Sequence, residues 1–376
     1  MKLVIQKQDI NKVMQVSQNI VEKRSTMPIL QNAMLDAKDG ILTVSSSDME
    51  ITIISKIKAN VIENGSTTVN AKMFSDIIKE LPEEDILLEL EEGEILSITS
   101  AKAKLKILCI SSEAFPSFPT NDIKAKHKIP ASVLLSMFDS TSFAVSNDEA
   151  RWSLNGVFLE KGTLEEDDKK EVVRAVATDG HRLAIATREV KIPCLKDGII
   201  IPKKGVFELK KILEELGDEE ILIEITDSLL VVETETQKMG MRLIDAKFPD
   251  YNYAVPKGKS IKVEFDTNVI MNSLKRMTIM NSEKDKKMLF HFEDNCLTMT
   301  STNPGIGEAK DEIEIKYNKD PVDLGFNPKY LLDLVSYLGG ETVVFELFGQ
   351  LKPIKIFSPE DKSSVAYLMP IRINVN

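Results

Sequence analysis

The stretch most typical of an enzyme is 178-TDGHRLAIA-186, in which Asp179 and His181 stand two residues apart around Gly180. A carboxylate and an imidazole are common partners in general acid–base catalysis. The stretch contains no serine or cysteine nucleophile, however, and a glycine here equally fits a tight turn that leads into a strand. We therefore expect a turn and not a catalytic site.

Few other side chains are arranged for chemistry. The three histidines (His127, His181 and His291) and the three cysteines (Cys109, Cys194 and Cys296) do not combine at the spacing of a metal site. The sequence also lacks a P-loop, a dinucleotide-binding fingerprint and a nucleophile elbow. We expect no enzyme activity, no metal and no cofactor. The odd number of distant cysteines argues against a disulfide framework and favours a reducing cytoplasm.

Composition is that of a soluble globular protein with two or three domains. The chain has 376 residues, of which 43% are hydrophobic and 28% charged, and its net charge is −11. No apolar run is long enough to span a membrane, and the N-terminal MKLVIQKQDI is too polar for a signal peptide. The negative charge argues against a nucleic-acid partner unless one face is locally basic.

An internal repeat organises the chain. Three segments align without gaps: 69-VNAKMFSDIIKEL-81, 201-IPKKGVFELKKIL-213 and 326-FNPKYLLDLVSYL-338. Apolar residues recur in each at i, i+3 and i+7, which is the buried stripe of an amphipathic helix. A polar break and an alternating strand follow each segment, at 85–90, 219–225 and 341–347.

The front half of each repeat follows the same plan more loosely, with a helix near 9–21, 131–143 or 267–279 before strand hairpins. The sequence therefore predicts an α+β fold of three repeated domains, each with two helices packed on antiparallel sheets. We place the domains at 1–122, 123–254 and 255–376, with short polar linkers near 121–126 and 255–260.

Lysines recur at matched positions of the repeated helices. Lys72 and Lys79 are seven residues apart, as are Lys204 and Lys211, so each pair lies on one helix face. Lysine is also common on any exposed helix face, so the pattern alone leaves a solvated face and a binding face open. A partner on this face would be contacted through phosphates and not through base sequence.

Several motifs together resemble the bacterial DNA polymerase III beta sliding clamp family. They are 27-MPILQNAML-35, 47-SDMEITI-53, 174-RAVATDGHRLAIA-186, 247-KFPDY-251, 325-GFNPKYLLDLV-335 and 366-AYLMPIRI-373. The resemblance runs through the whole chain in order. It implies three DNA-clamp domains in a head-to-tail homodimeric ring that encircles duplex DNA, independently of sequence, and confers processivity on the replicative polymerase.

The resemblance also implies which residues would form the ring. The dimer interface would use Lys102, Lys104, Leu105 and Ile107 against Ile279, Met280 and acids near Glu308, Asp311 and Glu312. The DNA contacts would come from Arg24, Lys72, Lys203 and Lys204.

Partner proteins of this family, including the replicative polymerase and the clamp loader, insert a short peptide into a pocket between the second and third domains. The resemblance implies that its walls are Leu154, Thr178, Gly180, His181, Arg182, Leu183, Pro249, Tyr253, Ala254, Leu351, Pro353, Leu368, Met369, Pro370, Ile371 and Arg372. Asn327 and Tyr330 would lie at its rim. An apolar slot with a few polar edges suits an extended peptide.

Three features depart from the family pattern. Asn252-Tyr253-Ala254 stands where arginine is frequent, Asp285 where an aromatic residue is sometimes found, and Asn147-Asp148-Glu149 forms an acidic version of a DNA-touching loop. The first two leave the preferred peptide open. A peptide-binding scaffold that never encircles DNA remains the alternative to a clamp.

Overall fold

The computed structural model describes residues 1–21, 27–118, 126–164, 170–280, 287–303, 305 and 307–373. The chain forms two compact units, Met1–Ser132 with Phe207–Leu243 and Val133–Val206 with Ile244–Asn376. Each unit contains one eight-stranded sheet and one smaller sheet. The strand pairs are antiparallel throughout the described residues, as the sequence predicts.

Within the described residues, the first unit contains thirteen strands. They are β1 (Lys2–Gln6), β2 (Asn32–Lys38), β3 (Ile41–Ser47), β4 (Ile51–Lys58), β5 (Asn60–Glu63), β6 (Gly65–Asn70), β7 (Asp85–Glu91), β8 (Ile95–Ser100), β9 (Ala103–Leu108), β10 (His127–Pro130), β15 (Glu220–Ile225), β16 (Leu229–Glu233) and β17 (Gln237–Arg242). Their orders are β5-β1-β7-β8-β9 in the five-stranded sheet and β10-β15-β16-β17-β4-β3-β2-β6 in the eight-stranded sheet.

The second unit repeats this arrangement with twelve strands. They are β11 (Gly156–Thr163), β12 (Glu171–Thr178), β13 (Arg182–Arg188), β14 (Ile199–Pro202), β18 (Ile261–Asp266), β19 (Met288–Glu293), β20 (Cys296–Asn303), β21 (Gly307–Glu314), β22 (Val322–Phe326), β23 (Thr342–Leu347), β24 (Ile354–Phe357) and β25 (Ser364–Leu368). The sheet orders are β14-β11-β12-β13-β25-β24-β23-β18 and β21-β20-β19-β22.

Six α-helices in the described residues correspond to the six predicted ones. They are α1 (Lys7–Ile20), α2 (Ala71–Glu80), α3 (Ala131–Asp139), α4 (Lys203–Leu216), α5 (Thr267–Thr278) and α6 (Pro328–Leu338). Three of the helices are capped at the N-terminus by a polar side chain: Asn70, Asp266 and Asn327 each accept a hydrogen bond from a backbone N–H of the first turn. Helix α3 ends earlier than predicted because the Ser140 and Thr141 hydroxyls bond to carbonyls of its last turn.

The apolar stripes of the helices build the cores. In the first unit, Phe74 and Ile78 of α2 join α1 and both sheets in one buried cluster. In the second unit, Leu331 and Leu334 of α6 join α5 in a corresponding cluster. One matched polar position is an exception, because Glu208 is buried and bonds to Lys211 one turn later. Burial of these stripes is what holds the helices against the sheets.

The central repeat supplies strands to both eight-stranded sheets. In the first sheet β17 of the central repeat pairs with β4 of the first repeat. In the second sheet β13 of the central repeat pairs with β25 of the third. Pairing satisfies backbone groups that an open edge would leave to solvent or to other chains. Consecutive repeats are therefore joined through main-chain hydrogen bonds, which the repeat pattern alone did not predict.

Candidate functional site

The 178–182 segment is a turn stabilised by its own side chains. Gly180 has φ +86°, in the region that favours glycine, and its N–H donates to the Thr178 hydroxyl. The Asp179 Oδ1 atom accepts the backbone N–H groups of His181 at 2.9 Å and Arg182 at 3.0 Å. Its Oδ2 atom accepts from the Arg182 side chain at 3.1 Å. Because the carboxylate is fully committed to these donors, the turn predicted from sequence fits better than an acid–base pair.

Arg182 is a buried cation that connects three elements. Only 9% of its surface is exposed. Its guanidinium donates to Asp333 of α6 at 2.7 Å and to the Phe143 carbonyl at 2.8 Å. The same group lies 4.4 Å from the centroid of the Tyr330 ring. A buried charge is tolerated when it is paired and fully hydrogen-bonded, and these contacts meet that condition.

The floor of the predicted pocket is apolar. Leu154 and Leu183 belong to one buried cluster, which also contains Phe248 and Tyr367. Strand β13 lies beside β25, so that Arg182 is opposite Leu368. Strand β24 follows, with Ile354 opposite Leu368, and this register brings Pro353 to the neighbourhood of Met369. The described contacts thus connect residues from four distant parts of the sequence.

The segment after β25 is fastened at two points. The Met369 N–H donates to the His181 carbonyl at 2.9 Å, and the Ile371 N–H donates to the Gly325 carbonyl at 2.7 Å. A side chain at Gly325 would come within 2.8 Å of the Ile371 carbonyl oxygen, so glycine allows this close approach. These bonds place Met369, Pro370 and Ile371 beside the 178–182 turn.

The predicted pocket residues divide by exposure into a floor and a rim. The buried members are Leu154, Arg182, Leu183, Asn327 and Leu368. The half-buried members are Thr178, Tyr330, Pro353, Pro370 and Ile371, and the exposed members are Gly180, His181, Pro249, Tyr253, Ala254, Leu351, Met369 and Arg372. The exposed His181 ring lies 6.2 Å from the Tyr330 ring.

A short 3₁₀ turn, Tyr251–Ala254, carries two rim residues. Asp250 begins it by accepting the Asn252 N–H, and the Tyr251 hydroxyl donates to Glu160 of β11. Burial, together with this carboxylate, raises the pKa of Tyr251 far above its usual value, so the hydroxyl stays a donor. Tyr253, two residues later on the same turn, is 91% exposed.

Strand β9 is an edge of the five-stranded sheet, and its two faces differ. Leu105 and Ile107 lie on the helix side, whereas Lys104 and Lys106 are exposed on the other side. Lys102 is exposed just before the strand. An apolar groove of about 590 Å³ runs between α2 and β9, lined in part by Met73, Ile77 and Leu105. Four of the predicted interface residues therefore lie on one edge of the first unit.

Strand β21 is an edge of the four-stranded sheet and is acidic. Glu308, Glu312 and Glu314 are exposed. Asp311 instead accepts from Ser273 at 2.6 Å and from the Arg276 guanidinium at 2.5 Å. Burial acts to raise the pKa of Asp311, but these hydrogen bonds outweigh it and lower the pKa below its usual value. Asp311 is therefore already paired within its own unit, unlike the role that the resemblance implies.

The remaining predicted residues lie as follows. Ile279, at the end of α5, is 77% exposed, and Met280 is half-buried beside it. Lys72 and Lys204 are exposed on their helices, and Lys203 donates to Asn147 of the acidic loop. Arg24 and Asp285 lie outside the described residues. Among the described residues, no group of three or more acidic, histidine or cysteine side chains is arranged to hold a metal ion.

Family models match the chain from end to end. The N-terminal, central and C-terminal domains of the DNA polymerase III beta subunit match residues 1–119, 128–250 and 252–372 in that order. The chain belongs to the DNA polymerase III beta subunit family. The predicted family, the three clamp domains and the sliding-clamp function are confirmed, while the boundaries at 122 and 254 stay predictions.

Relatives of this family cover the whole chain. The beta sliding clamp of Pseudomonas aeruginosa is 30% identical, over 99% of this chain and 100% of its own length. That of Escherichia coli is 27% identical over the same shares. Among solved structures, the Bartonella birtlesii sliding clamp bound to griselimycin has a TM-score of 0.94 and 28% identity, covering 99% of this chain and 100% of that one.

A second solved structure adds a ligand of a different kind. The Caulobacter crescentus beta sliding clamp, with PEG bound to a putative beta-motif tethering region, has a TM-score of 0.93 and 27% identity, covering 99% of each chain.

In the described part of the present chain, no helix is long and apolar enough to cross a membrane.

Sequence reasoning did not identify the residues that hold the pocket from behind. Asp333 and Phe143 bind Arg182, and Glu160 binds Tyr251. Asp333 lies in the third repeated segment, 326-FNPKYLLDLVSYL-338, but its partner lies 151 residues away. Local spacing carries no signal for such a contact. The pocket, interface and DNA roles of the individual residues stay predictions.

Proposed function

We propose that two copies of this chain close head to tail into a ring around duplex DNA and tether the replicative polymerase to it. The observation that carries this proposal is the pair of complementary sheet edges. The exposed face of β9 carries Lys104 and Lys106, and that of β21 carries Glu308, Lys310, Glu312 and Glu314. Lys106 already pairs with Glu91 at 2.5 Å and Glu312 with Lys310 at 2.7 Å, so Lys104 and Glu308 are the charges that a contact between copies would bring together. Antiparallel pairing of β9 with the partner's β21 would satisfy both edges and set opposite charges side by side.

The apolar features support the same contact. Ile279 is a large side chain left 77% exposed at the end of α5. The groove between α2 and β9 offers apolar walls from Met73, Ile77 and Leu105. Ile279 of one copy fits this groove in the other copy by size and polarity. Each copy would present both this groove and an exposed Ile279. Such a contact joins two different surfaces, so it is heterologous, and it closes into a ring after two copies.

The number of helices supports a dimer over a single closed chain. Helices about 10 Å wide, set side by side in a circle of six, leave a hole of about 9 Å. Twelve helices leave about 30 Å, enough for a duplex about 20 Å wide. One chain has six helices in its described residues, so two chains supply the required circle.

The DNA contacts would be few and would not read sequence. Lys72, Lys203 and Lys204 lie in the first turns of their helices, where lysine can meet phosphate oxygens. Arg24 is assigned to the same role by the resemblance alone. A net charge of −11 opposes tight direct binding, and a topological link does not require it.

The floor and rim around Arg182 would receive short peptides from the polymerase and the clamp loader. The buried leucines of the floor, Leu154, Leu183 and Leu368, suit an extended segment with apolar side chains on one side, while the buried Arg182 is bound to Asp179 and Asp333. Griselimycin bound to the Bartonella birtlesii clamp shows that a related clamp takes a ligand. We propose no catalytic step: Asp179 and His181 shape the pocket, and the protein acts in the cytoplasm as a processivity factor.

The ring is tested by loading the protein onto nicked circular DNA with a clamp loader. Retention during gel filtration at high salt is expected, with release after a restriction enzyme linearises the circle. Equal retention on circular and linear DNA would refute topological binding. A scaffold that does not encircle DNA would instead bind peptides while remaining monomeric in sedimentation, but it would leave the edge strands β9 and β21 without a partner strand.

A further inference from the structure

Two large apolar side chains project beyond the pocket floor. Tyr253 is 91% exposed on the 3₁₀ turn Tyr251–Ala254, and Leu351 is 72% exposed in the connection between β23 and β24. The two segments lie against each other, because the Lys352 amine donates to the Lys257 carbonyl at 3.4 Å. Tyr253 lies four residues before Lys257, and Leu351 directly precedes Lys352; we name these four exposed residues on the two adjoining segments the shelf.

The shelf is positively charged. Lys257 and Lys352 are exposed, and Lys259 is exposed two residues further on. The bond that Lys352 makes is to a carbonyl, so its charge is not neutralised. The described residues provide no carboxylate within ion-pair distance of these three lysines. Of the acids near these segments, Asp250 accepts instead from the backbone and side chain of Asn252, and Glu346 accepts from the Ser260 hydroxyl at 2.6 Å.

The shelf is continuous with the pocket floor. Pro353 follows Leu351 and Lys352 directly and leads into β24, where Ile354 lies opposite Leu368. On the other side, Tyr253 follows Tyr251, which packs against the cluster of Leu154 and Leu183. An extended peptide seated on the floor would therefore continue onto the shelf.

We propose that the shelf is an extension of the peptide pocket that selects partners with an acidic, aromatic-containing segment beside their apolar anchor. This inference rests on the proposed peptide pocket. Tyr253 offers a large, rigid face with little conformational entropy to lose, and Leu351 widens that face. The lysines attract carboxylates at the edge, where charge acts on selectivity more than on total affinity.

Duplex DNA is the other polyanion to consider for these lysines. The observations favour a peptide, because the lysines border two exposed apolar side chains that are continuous with an apolar floor. Phosphate contacts need no such apolar surface. The experiment therefore includes DNA as a separate ligand.

The test uses four fluorescent peptides that share an extended anchor with leucine and phenylalanine at alternate positions. Three glutamates, or three glutamines as controls, are added at the N-terminal or the C-terminal end. Binding to the full-length protein is measured by fluorescence anisotropy at about 50 mM and about 500 mM salt. The variants are Tyr253→Ala and Lys257→Gln/Lys352→Gln. The matched control is Lys316→Gln/Lys362→Gln, which changes two exposed lysines of the same unit.

At one of the two ends, the glutamate peptide is expected to bind about fivefold more tightly than its glutamine control at low salt. The advantage should vanish at high salt and in Lys257→Gln/Lys352→Gln, but persist in the control variant. Tyr253→Ala should weaken both peptides of that end about tenfold. All changed residues are exposed, so the melting temperature should not change.

Four outcomes would overturn the shelf. Equal affinity for glutamate and glutamine peptides at both ends would show that the shelf does not select acidic segments. If Lys316→Gln/Lys362→Gln weakens binding of the glutamate peptide as much as Lys257→Gln/Lys352→Gln does, the selectivity does not come from the shelf. Lower affinity of Lys257→Gln/Lys352→Gln for duplex DNA, with peptide binding unchanged, assigns the lysines to DNA instead. If the wild-type protein binds none of the peptides, the pocket itself is refuted and the shelf with it.

Discussion

Buried charges in this chain are compensated to very different degrees. The Arg182 guanidinium has two acidic partners, a carbonyl and an aromatic face. Lys7, which is 8% exposed, bonds to the Leu81 carbonyl at the end of α2 and to Glu83. Glu224 of β15 is 2% exposed, and neither of its oxygens has a hydrogen-bond partner among the described residues. Such a carboxylate lowers stability when it is ionised.

The cost at Glu224 should depend on pH. Burial raises the pKa of Glu224 above its usual value, an effect that Lys126 and Lys238 only partly offset. Because the pKa of Glu224 is higher in the folded state, the folded protein binds this proton more tightly than the unfolded chain does. The stability gained from protonated Glu224 is fully present below the unfolded pKa and is lost as pH rises through the folded pKa. Glu224→Gln is therefore expected to raise the free energy of unfolding at pH 7.5 by about 1 kcal/mol, since a neutral amide costs less to bury than a carboxylate.

Denaturant unfolding at pH 7.5 and pH 4.5 measures this difference, which should shrink at the lower pH. Glu220→Gln is the control, since Glu220 lies on the same strand but is exposed and pairs with Lys128 at 3.0 Å. Its change should stay within about 0.5 kcal/mol. A Glu224→Gln protein less stable than the wild type at pH 7.5 would contradict the argument.

His291 is held between two carboxylates on the four-stranded sheet. Its Nδ1 atom lies 2.7 Å from Asp323, and its Nε2 atom lies 3.1 Å from Glu293. The hydrogen bond with Asp323, followed by the one with Glu293, raises the pKa of His291 above its usual value. Its stabilising contribution is full below the unfolded pKa and is lost as pH rises through the folded pKa.

Asp323→Asn should lower the pKa of His291 and reduce stability near pH 6 more than at pH 8.5. Proton NMR of the imidazole signals measures this pKa, and the chain has only three histidines to assign. The signals of His127 and His181 serve as internal controls and should not be affected by the substitution. A His291 pKa unchanged by Asp323→Asn would show that the contact does not persist in solution.

Sequence reasoning at the residue scale succeeded where the cause was local. The turn at Gly180 follows from residue types that stand next to one another. The partners of Arg182 did not follow, because Phe143 and Asp333 reach it through tertiary packing. The burial of Glu224 was equally hidden, since an alternating strand places glutamate on a face without revealing what covers that face.

The elements of the fold show the same division. All six helices were predicted, because each depends on its own apolar period. The pairing of β17 with β4 and of β13 with β25 was not predicted, because register between distant strands leaves no trace in local pattern. The resemblance supplied the edge strands that the periodicity could not.

The edge strands lead to a prediction about assembly. Ile279→Arg should place a charge in the groove beside the partner's β9 and raise the dimer dissociation constant at least about 30-fold, equivalent to about 2 kcal/mol of binding free energy. Analytical ultracentrifugation over a range of concentrations measures it. Ile62→Arg is the control, because Ile62 is 58% exposed on β5, the opposite edge of the same sheet as β9. A dimer of wild-type affinity in Ile279→Arg would rule out this contact.

At the scale of the whole molecule, an acidic protein is expected to hold an acidic polymer by enclosure. The net charge of −11 repels DNA at long range, while Lys72, Lys203 and Lys204 are the residues proposed to attract it locally. Affinity and residence time should then be separable. Affinity depends on the lysines and on salt, whereas residence time on a closed circle depends on the ring remaining shut.

The triple variant Lys72→Gln/Lys203→Gln/Lys204→Gln tests this separation. Its affinity for linear duplex should fall, and the slope of log affinity against log salt should decrease by about one for each phosphate that is no longer neutralised. Residence time on nicked circles should change little once the ring is loaded. Lys316→Gln should leave both unchanged, and a triple variant that slips off closed circles quickly would contradict enclosure.

The shared sheets also bear on where such a ring would break under load. Separating β13 from β25 would rupture a ladder of five paired positions, and separating β17 from β4 another five, in addition to the covalent chain. The contact between two copies has no covalent link. The connections between repeats should therefore resist force better than the proposed contact between copies. A motor protein that opens the ring should separate β9 from the partner's β21 first.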